Sequence, residues 1–581
     1  MPRLTSSSLG IAEKAAFASP LRDPDKLMRS TRLGAFHQTR LSFSRALIRR
    51  MKREEWQIQR QHMDIGVDNV GEALYLVNTP QGIYSFLALA HSIDPEQRTD
   101  RAIAQVWDYT FVLCEGRIDD LQKTRLYGNL PHQDAGRYEA TELVFSRANK
   151  SGRLFDDVVS SLAKGKEPAK ESIADVGYLI RTTAVFANGK FGIADYSRLR
   201  HRSGLPHSFE AQMLAVYLIR QFSIDLVHHL SGKMAPQTAL KLSSATQRLV
   251  GVGNATGLGM APFLVDHPKL FNAWISCRET AIARVMSLPN TDDATWRRFV
   301  GLLQRAIRYV EQWKTADGRQ RNRLIVLERE LRELSIAISS EKSLFGPDLE
   351  YPWKKLMDEI ALSFSPEAEE MLASLILEPH DFIVDTLEEF TYAKEVESLW
   401  PEQAISELLR MIEDAYSWAI KFDFSKSNNH HYFWYRSTVK SEPRLGISGA
   451  DDGQHREMIV GIAREIASLH SDLSHLSQAE METTSIGMFL LMNPKHRATV
   501  ERVQSLSKSP YAEIRDNLLA SDCLPIDLLR CKLAFFGATK FDPKSDRWVR
   551  VVLFQGAPVI EDLFDADYDS DDWLFASGSE I

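Results

Sequence analysis

Residues 250–268 read V-G-V-G-N-A-T-G-L-G-M-A-P-F-L-V-D-H-P, with four glycines between Gly251 and Gly259 and with Asn254 and Thr256 among them. Glycine at this density lets a backbone reach positive φ and approach a ligand closely, and Asn and Thr add short donors and acceptors. Helical spacing of apolar residues runs up to the stretch over 209–230 and 237–249 and away from it over 270–288. The expectation is a polar loop slung between helices. Gly253, Asn254, Thr256 and Gly257 are its binding candidates, and His267, eight residues past Gly259, is an acid/base candidate or a simple helix-entry residue. A dinucleotide fingerprint fails because the segment before Gly251 looks helical and no third glycine falls in register. A nucleophile elbow fails because Ala255 stands where Ser is needed.

Working outward, the N-terminal side carries a basic helical pattern at 33–61, with Arg40, Arg45, Arg49, Arg50, Lys52 and Arg53 between apolar residues. It reads as a solvated amphipathic face or as a surface for phosphates or an acidic partner. Two β-prone runs at 73–78 and 83–91 flank T-P-Q-G, the signature of a hairpin turning at Gly82, and 105–114 adds a third run. Residues 211–230, apolar but broken by Arg220, Gln221 and Asp225, predict a buried core helix. Residues 317–340 set Leu324, Leu327, Leu331, Leu334 and Ile338 at alternating three and four spacing, with Glu328/Arg332 and Arg329/Glu333 as i,i+4 pairs. That is a bundle helix or a dimer seam. Residues 454–476 predict another amphipathic helix, and 548–554 a strand after a Gly/Pro turn.

The fold expected is therefore mainly α, of α+β type: many helices, a small N-terminal antiparallel β-element and short C-terminal strands. Its divisions are a flexible 1–30, a basic helix with the β-element at 31–135, a helical core with the Gly-rich loop at 136–345, a helical region with strands at 346–560, and an acidic tail at 561–581. In that tail six aspartates alternate with Phe564, Tyr568, Trp573 and Phe575. It is expected to be disordered, or to fold back on the basic helix near Arg45–Arg53.

Composition narrows the function classes. With 581 residues, 44% hydrophobic and 25% charged, the chain is an ordinary folded protein of several domains or one elaborated domain. A net charge of −8 gives no global footprint for nucleic acid. Cys114, Cys277, Cys523 and Cys531 are scattered, so neither a disulfide framework nor a structural zinc site is indicated, and no metal is expected. No apolar run reads as a secretory signal or a membrane span. The setting expected is the cytoplasm, with no membrane partner and with a homo-oligomer allowed by the 317–340 seam.

Two further stretches carry candidate chemistry. Segments 147–153 and 181–192 each put Asn, Lys and Gly together, a turn that can also present Lys190 and backbone N–H groups to an anion, but neither is a Walker A loop. Residues 422–446 place Asn428, Asn429, His430 and His431 before four aromatics and Arg436. There His431 is a candidate acid/base and Arg436 a candidate anion partner; the plain alternative is a strand with packed aromatics. Lys540, Asp542, Asp546 and Arg547 read as a charged site or as a turn with local ion pairs. The functional expectation is a cytosolic enzyme acting on a small, anionic metabolite, with its reaction class and cofactor unknown. The alternative is a helical binding or scaffold protein that engages a protein or nucleic acid through the basic helix and the seam.

Overall fold

The T-P-Q-G turn joins two neighbouring strands of the sheet, as its sequence leads one to expect. Thr79 Oγ1 accepts from the amides of Gln81 and Gly82 at 3.2 and 3.1 Å, which closes a tight hairpin. The computed structural model describes residues 19–91, 107–129, 139–182, 204–257, 264, 267–391, 400–423, 432–437, 443–447, 454–457, 462–516, 525–544, 548–565, 568, 569 and 573–575. In it β1 (Gln57–Ile65), β2 (Gly71–Thr79), β3 (Gly82–Ala90), β4 (Tyr109–Glu115) and β5 (Glu142–Lys150) pair antiparallel in succession. β6 (Tyr178–Thr182) pairs antiparallel with β5 and parallel with β7 (Gly251–Gly257). A second, three-stranded sheet has the order β10 (Gln454–Glu457), β8 (Tyr432–Ser437), β9 (Pro443–Ile447). The large sheet is completed by β11 (Ala538–Pro543) and β12 (Trp548–Leu553), in the order β1-β2-β3-β4-β5-β6-β7-β12-β11.

About 55% of the chain is helical, yet the class is mixed α/β, because the N-terminal hairpin and the C-terminal strands belong to one nine-stranded sheet. The expected small β-element and separate short strands are corrected accordingly. β7 is the join: it takes β6 on one side and β12 on the other. The stretch 251–257 is thus an interior strand and not a loop. Its glycines serve close packing. A Cβ on Gly253 would lie 2.6 Å from the Tyr178 ring, and one on Gly251 would lie 2.5 Å from the Leu553 carbonyl oxygen.

Among the described helices are α1 (Phe43–Arg53), α2 (Lys170–Val176), α3 (Glu210–Met234), α4 (Pro268–Met286), α5 (Asp293–Gln312), α6 (Gly318–Ser340), α7 (Pro366–Leu377) and α8 (Pro525–Phe536). α3 is the expected core helix. It crosses β3 to β7, and Phe222 meets Tyr109 and Phe111 edge to face at 5.3 Å each. The opposite face of β3 and β4 is covered by a smaller cluster that includes Leu87, Leu89, Val112, Leu126 and Phe145, so β3 is apolar on both faces. α6 buries its seam of Leu324, Leu327, Leu331, Leu334 and Ile338 within the chain, against α5 and α7. Its exposed i,i+4 pairs form as expected, Glu328–Arg332 at 3.2 Å and Arg329–Glu333 at 3.6 Å.

The basic helix is neither a solvated face nor an anion surface. Arg45 is fully buried in a two-pronged pair with Glu378 at 2.8 and 2.7 Å, Arg40 holds Asp385 at 2.8 Å, Arg49 holds Glu388 at 2.6 Å, and Arg50 pairs with Glu210 and Glu54. The N-terminal arm extends the pattern, with Arg22 and Arg32 on Glu369 and Glu370 of α7, which is buried from Glu367 to Leu377. Sequence spacing registers the cations but not the carboxylates that neutralise them, most of which lie more than three hundred positions away. The tail follows the same logic and docks. Arg248 grips Asp562 at 2.9 and 2.6 Å, Lys52 donates to the Tyr568 carbonyl at 3.0 Å, and Trp573, Leu574 and Phe575 are buried.

Residues 405–503 make a separate helical core around Ile405, Leu408, Ile412, Ile466, Leu469, Leu473, Phe489, Val500 and Val503. Here the expected helix at 454–476 is shorter: 454–457 forms β10, and the helix occupies Ala463–Ser474.

Candidate functional site

On β11 side chains alternate, so Lys540 and Asp542 share one face and Phe541 takes the other. Antiparallel pairing sets Arg550 of β12 opposite Asp542, and Val552 opposite Lys540. The next strand inward places Gly253 opposite Val552. A polar row of Lys540, Asp542 and Arg550 therefore continues into the glycine-bearing part of β7, where the missing side chains admit Tyr178.

This row borders a cleft of about 530 Å³, bounded by α2, by the end of α5 and the turn after it, and by β11 and β12. Tyr309 and Trp313 line it, their polar ends already engaged: Tyr309 Oη donates to the Thr539 carbonyl and Trp313 Nε1 to the Phe541 carbonyl, both at 2.9 Å. Phe575 packs against the Tyr309 ring and the Arg530 guanidinium against the Trp313 ring, and the half-buried remainder of each ring lines the cleft. Lys314, Lys540 and Arg550 supply cations; Glu171, Asp175, Glu311 and Asp542 supply carboxylates. Two of these four acids have cationic partners, Glu311 with Arg332 and Asp542 with Lys544 and, at 3.6 Å, Arg550.

Among the cations of the cleft, Lys540 is the one whose titration is shifted. Burial dominates and lowers its ammonium to about 8; Arg550 and Lys314 push the same way, while Asp175 and Asp542 oppose them. Its Nζ donates to the carbonyl oxygens of Ala174 and, at 2.9 Å, Asp175, at the last turn of α2. Gln555 Nε2 donates to the same Ala174 carbonyl at 2.9 Å. The plain structural role is a cap on the unsatisfied carbonyls of a short helix. The cleft adds access to that amine.

Behind Tyr309 and Trp313 a second cavity, of about 30 Å³, is lined by Phe36, His37, Gln38, Arg530, Leu574 and Phe575, among others. Arg530 bridges His37 Nε2 at 2.9 Å and Glu367, and its guanidinium lies 5.4 Å from the Trp313 ring centre. Burial, with Arg530 beside it, lowers His37 and disfavours the imidazolium; burial pushes Glu367 up, but Arg530 and His37 outweigh it and hold the carboxyl below its ordinary range. Space for one water is all that remains there.

The candidates named from sequence are dispersed relative to this cleft. Asn254 is buried, and its amide donates to the Thr182 carbonyl, a structural bond between neighbouring strands. Gly253, Thr256 and Gly257 are ladder positions opposite Val552, Val549 and Trp548, so the backbone there pairs with β12. His267 is half-buried at the N-cap of α4, away from the cleft lining. Arg436 lies on β8, in the other sheet. Lys190 and His431 lie outside the described residues. Of segment 147–153, residues 147–150 are strand, and Arg147 packs 4.7 Å from the Trp107 ring. No group of three or more metal-ligating side chains occurs among the described residues.

Lys540 and Asp542 were visible in the sequence as a charged pair, but within a presumed turn. The K-F-D alternation at 540–542, matched by the R-V-V of 550–552, is the signal that both are strands sharing a polar face. Trp313, Lys314 and Asp175 carry no local signal, since they reach the cleft only through tertiary packing. Comparison with protein-family models, with curated proteins and with solved structures finds no match to this chain.

Proposed function

We propose that this chain is an enzyme acting on a small anionic metabolite held in the cleft between Trp313 and Lys540. The observation that carries the reading is the cleft itself. Its volume of about 530 Å³ falls within the range of small-molecule sites, and it brings aromatic faces together with a half-buried amine and two further cations, Lys314 and Arg550. Aromatic walls hold a flat or apolar body, and the cations orient its anionic group. A half-buried lysine whose ammonium is lowered to about 8 supports chemistry in addition to binding. The scaffold alternative has less support, because the arginines of α1 and the seam of α6 are spent inside the fold. No described helix is long and apolar enough to cross a membrane. Cys114, Cys277 and Cys531 are buried free thiols, and a reducing cytoplasm is the setting we assign.

The test is a thermal-shift and calorimetric screen of small carboxylates and phosphates against the wild-type chain and a Lys314→Glu variant. At least one anion is expected to raise the wild-type midpoint, with affinity reduced about tenfold or more by the charge reversal, equivalent to roughly 1.4 kcal/mol. Anion binding identical in both proteins would place the site elsewhere.

A further inference from the structure

We propose that Lys540 is an amine nucleophile that captures a small 2-oxo acid at its carbonyl carbon as an imine. The inference rests on the reading of the cleft as a small-anion site and adds the substrate class and the reacting atom.

The geometry around Nζ is the first argument. A neutral amine has two hydrogens and one lone pair. The carbonyls of Ala174 and Asp175 can accept both hydrogens, which leaves the lone pair for an electrophile. An ammonium held in the same place has no lone pair, so the fraction of neutral amine decides reactivity. Burial supplies that fraction: with the ammonium at about 8, a substantial share of Lys540 is neutral near pH 7.5, whereas an ordinary lysine near 10.5 is almost wholly protonated. The groups facing Nζ from each neighbouring element are Asp175 of α2, Lys314 after α5, Asp542 of the same strand and Arg550 of β12.

The second argument is that the amine can let go of its helix. The Ala174 carbonyl also accepts from Gln555 Nε2, so it keeps a partner when Nζ turns to a substrate. The third is the neighbouring charge. Lys314 lines the same cleft and would hold the carboxylate of a 2-oxo acid, while Trp313 and Tyr309 offer ring faces to its remaining chain.

The step balances without a further reactant. The Nζ lone pair forms the C–N bond as the carbonyl π bond breaks, and one Nζ proton passes to the oxygen to give a carbinolamine. The C–O bond then breaks with transfer of the second Nζ proton, so one water leaves and the C=N bond remains. The product is neither oxidised nor reduced.

The experiment uses the intact wild-type chain with glyoxylate as probe, trapped by cyanoborohydride and mapped by peptide mass spectrometry. Lys540 is expected to be carboxymethylated at least tenfold faster at pH 7.5 than Lys495, whose side chain is 62% exposed. Its rate should level off above about pH 8. Equal rates at the two lysines, or a Lys540 rate that climbs without a plateau, overturns the proposal. Glycolate, of like size and charge but with no carbonyl, separates the two levels of inference. Saturable glycolate binding that Lys314→Glu abolishes, with Lys540 unlabelled, removes the imine and leaves the cleft. Absence of both binding and labelling removes both. A Lys540→Arg variant, which retains donors for the α2 carbonyls, must lose the fast label while keeping its unfolding midpoint.

Discussion

The arginine–carboxylate pairs of α1 put full charges inside the fold. Arg45 and Glu378 are each almost wholly out of water, and two parallel N–H···O bonds join them. Desolvating two ions consumes most of what their attraction returns, so the pair as a whole adds little, but either ion left alone is costly. Arg45→Met alone is accordingly expected to destabilise the chain by about 3–5 kcal/mol. Combining it with Glu378→Leu should recover most of the loss. A double-mutant cycle by urea unfolding checks this, and additive losses would show that the two residues act independently. Arg45 also faces the Trp573 ring at 5.8 Å, so the single variant should loosen the tail as well.

At the scale of elements, β7 is the most informative strand. Gly253→Ala puts a methyl group against the Tyr178 ring, which must shift, and overpacking of this kind costs about 1–3 kcal/mol. The same change at Gly82, where a Cβ meets nothing within 4 Å, should cost much less. Denaturant midpoints of the two variants measure the difference; equal shifts would mean that β7 does not pack as described. The glycines of 251–259 drew notice in the sequence for sound reasons of backbone geometry, yet glycine-rich stretches permit both a ligand loop and a tightly packed strand. Only the partner decides, and β12 lies nearly three hundred residues downstream. Signals confined to one element were legible: the T-P-Q-G hairpin, the buried helix α3, the seam of α6 and the strand at β12. What escaped was whatever needs two distant elements at once, namely the acid partners of α1, the union of the N- and C-terminal strands, and the aromatic wall that turns Lys540 and Asp542 from a charged turn into a cleft.

For the whole molecule, the buried histidines set the acid limit. His91, His207 and His228 are each lowered, chiefly by burial, to about 4, against an ordinary value of 6.5. Below pH 6.5 the unfolded chain binds protons that the folded chain refuses, so stability present above 6.5 is lost as pH falls toward 4, by of order 2 kcal/mol for each histidine. Glu210, raised by burial to about 7, works in the opposite direction over part of this range. Below 4.5 the lowered carboxyls of Glu367 and Glu370 continue the loss. Urea midpoints should therefore decline from pH 6.5 downward, and a midpoint unchanged between pH 7 and 4.5 would contradict the assignment. The pairing of β7 with β12 also has a consequence in time. At ribosomal rates of 5–20 residues per second, the roughly 290 residues between the two strands take about 15–60 s to synthesise. A sheet that forms before β12 is made ends at β7, with one edge of backbone donors and acceptors open to any passing chain. A strand reading G-V-G-N-A-T-G offers such a passer-by almost no apolar side chain to hold, so the composition that lets Tyr178 pack closely in the finished fold also keeps the unfinished edge from adhering while it waits.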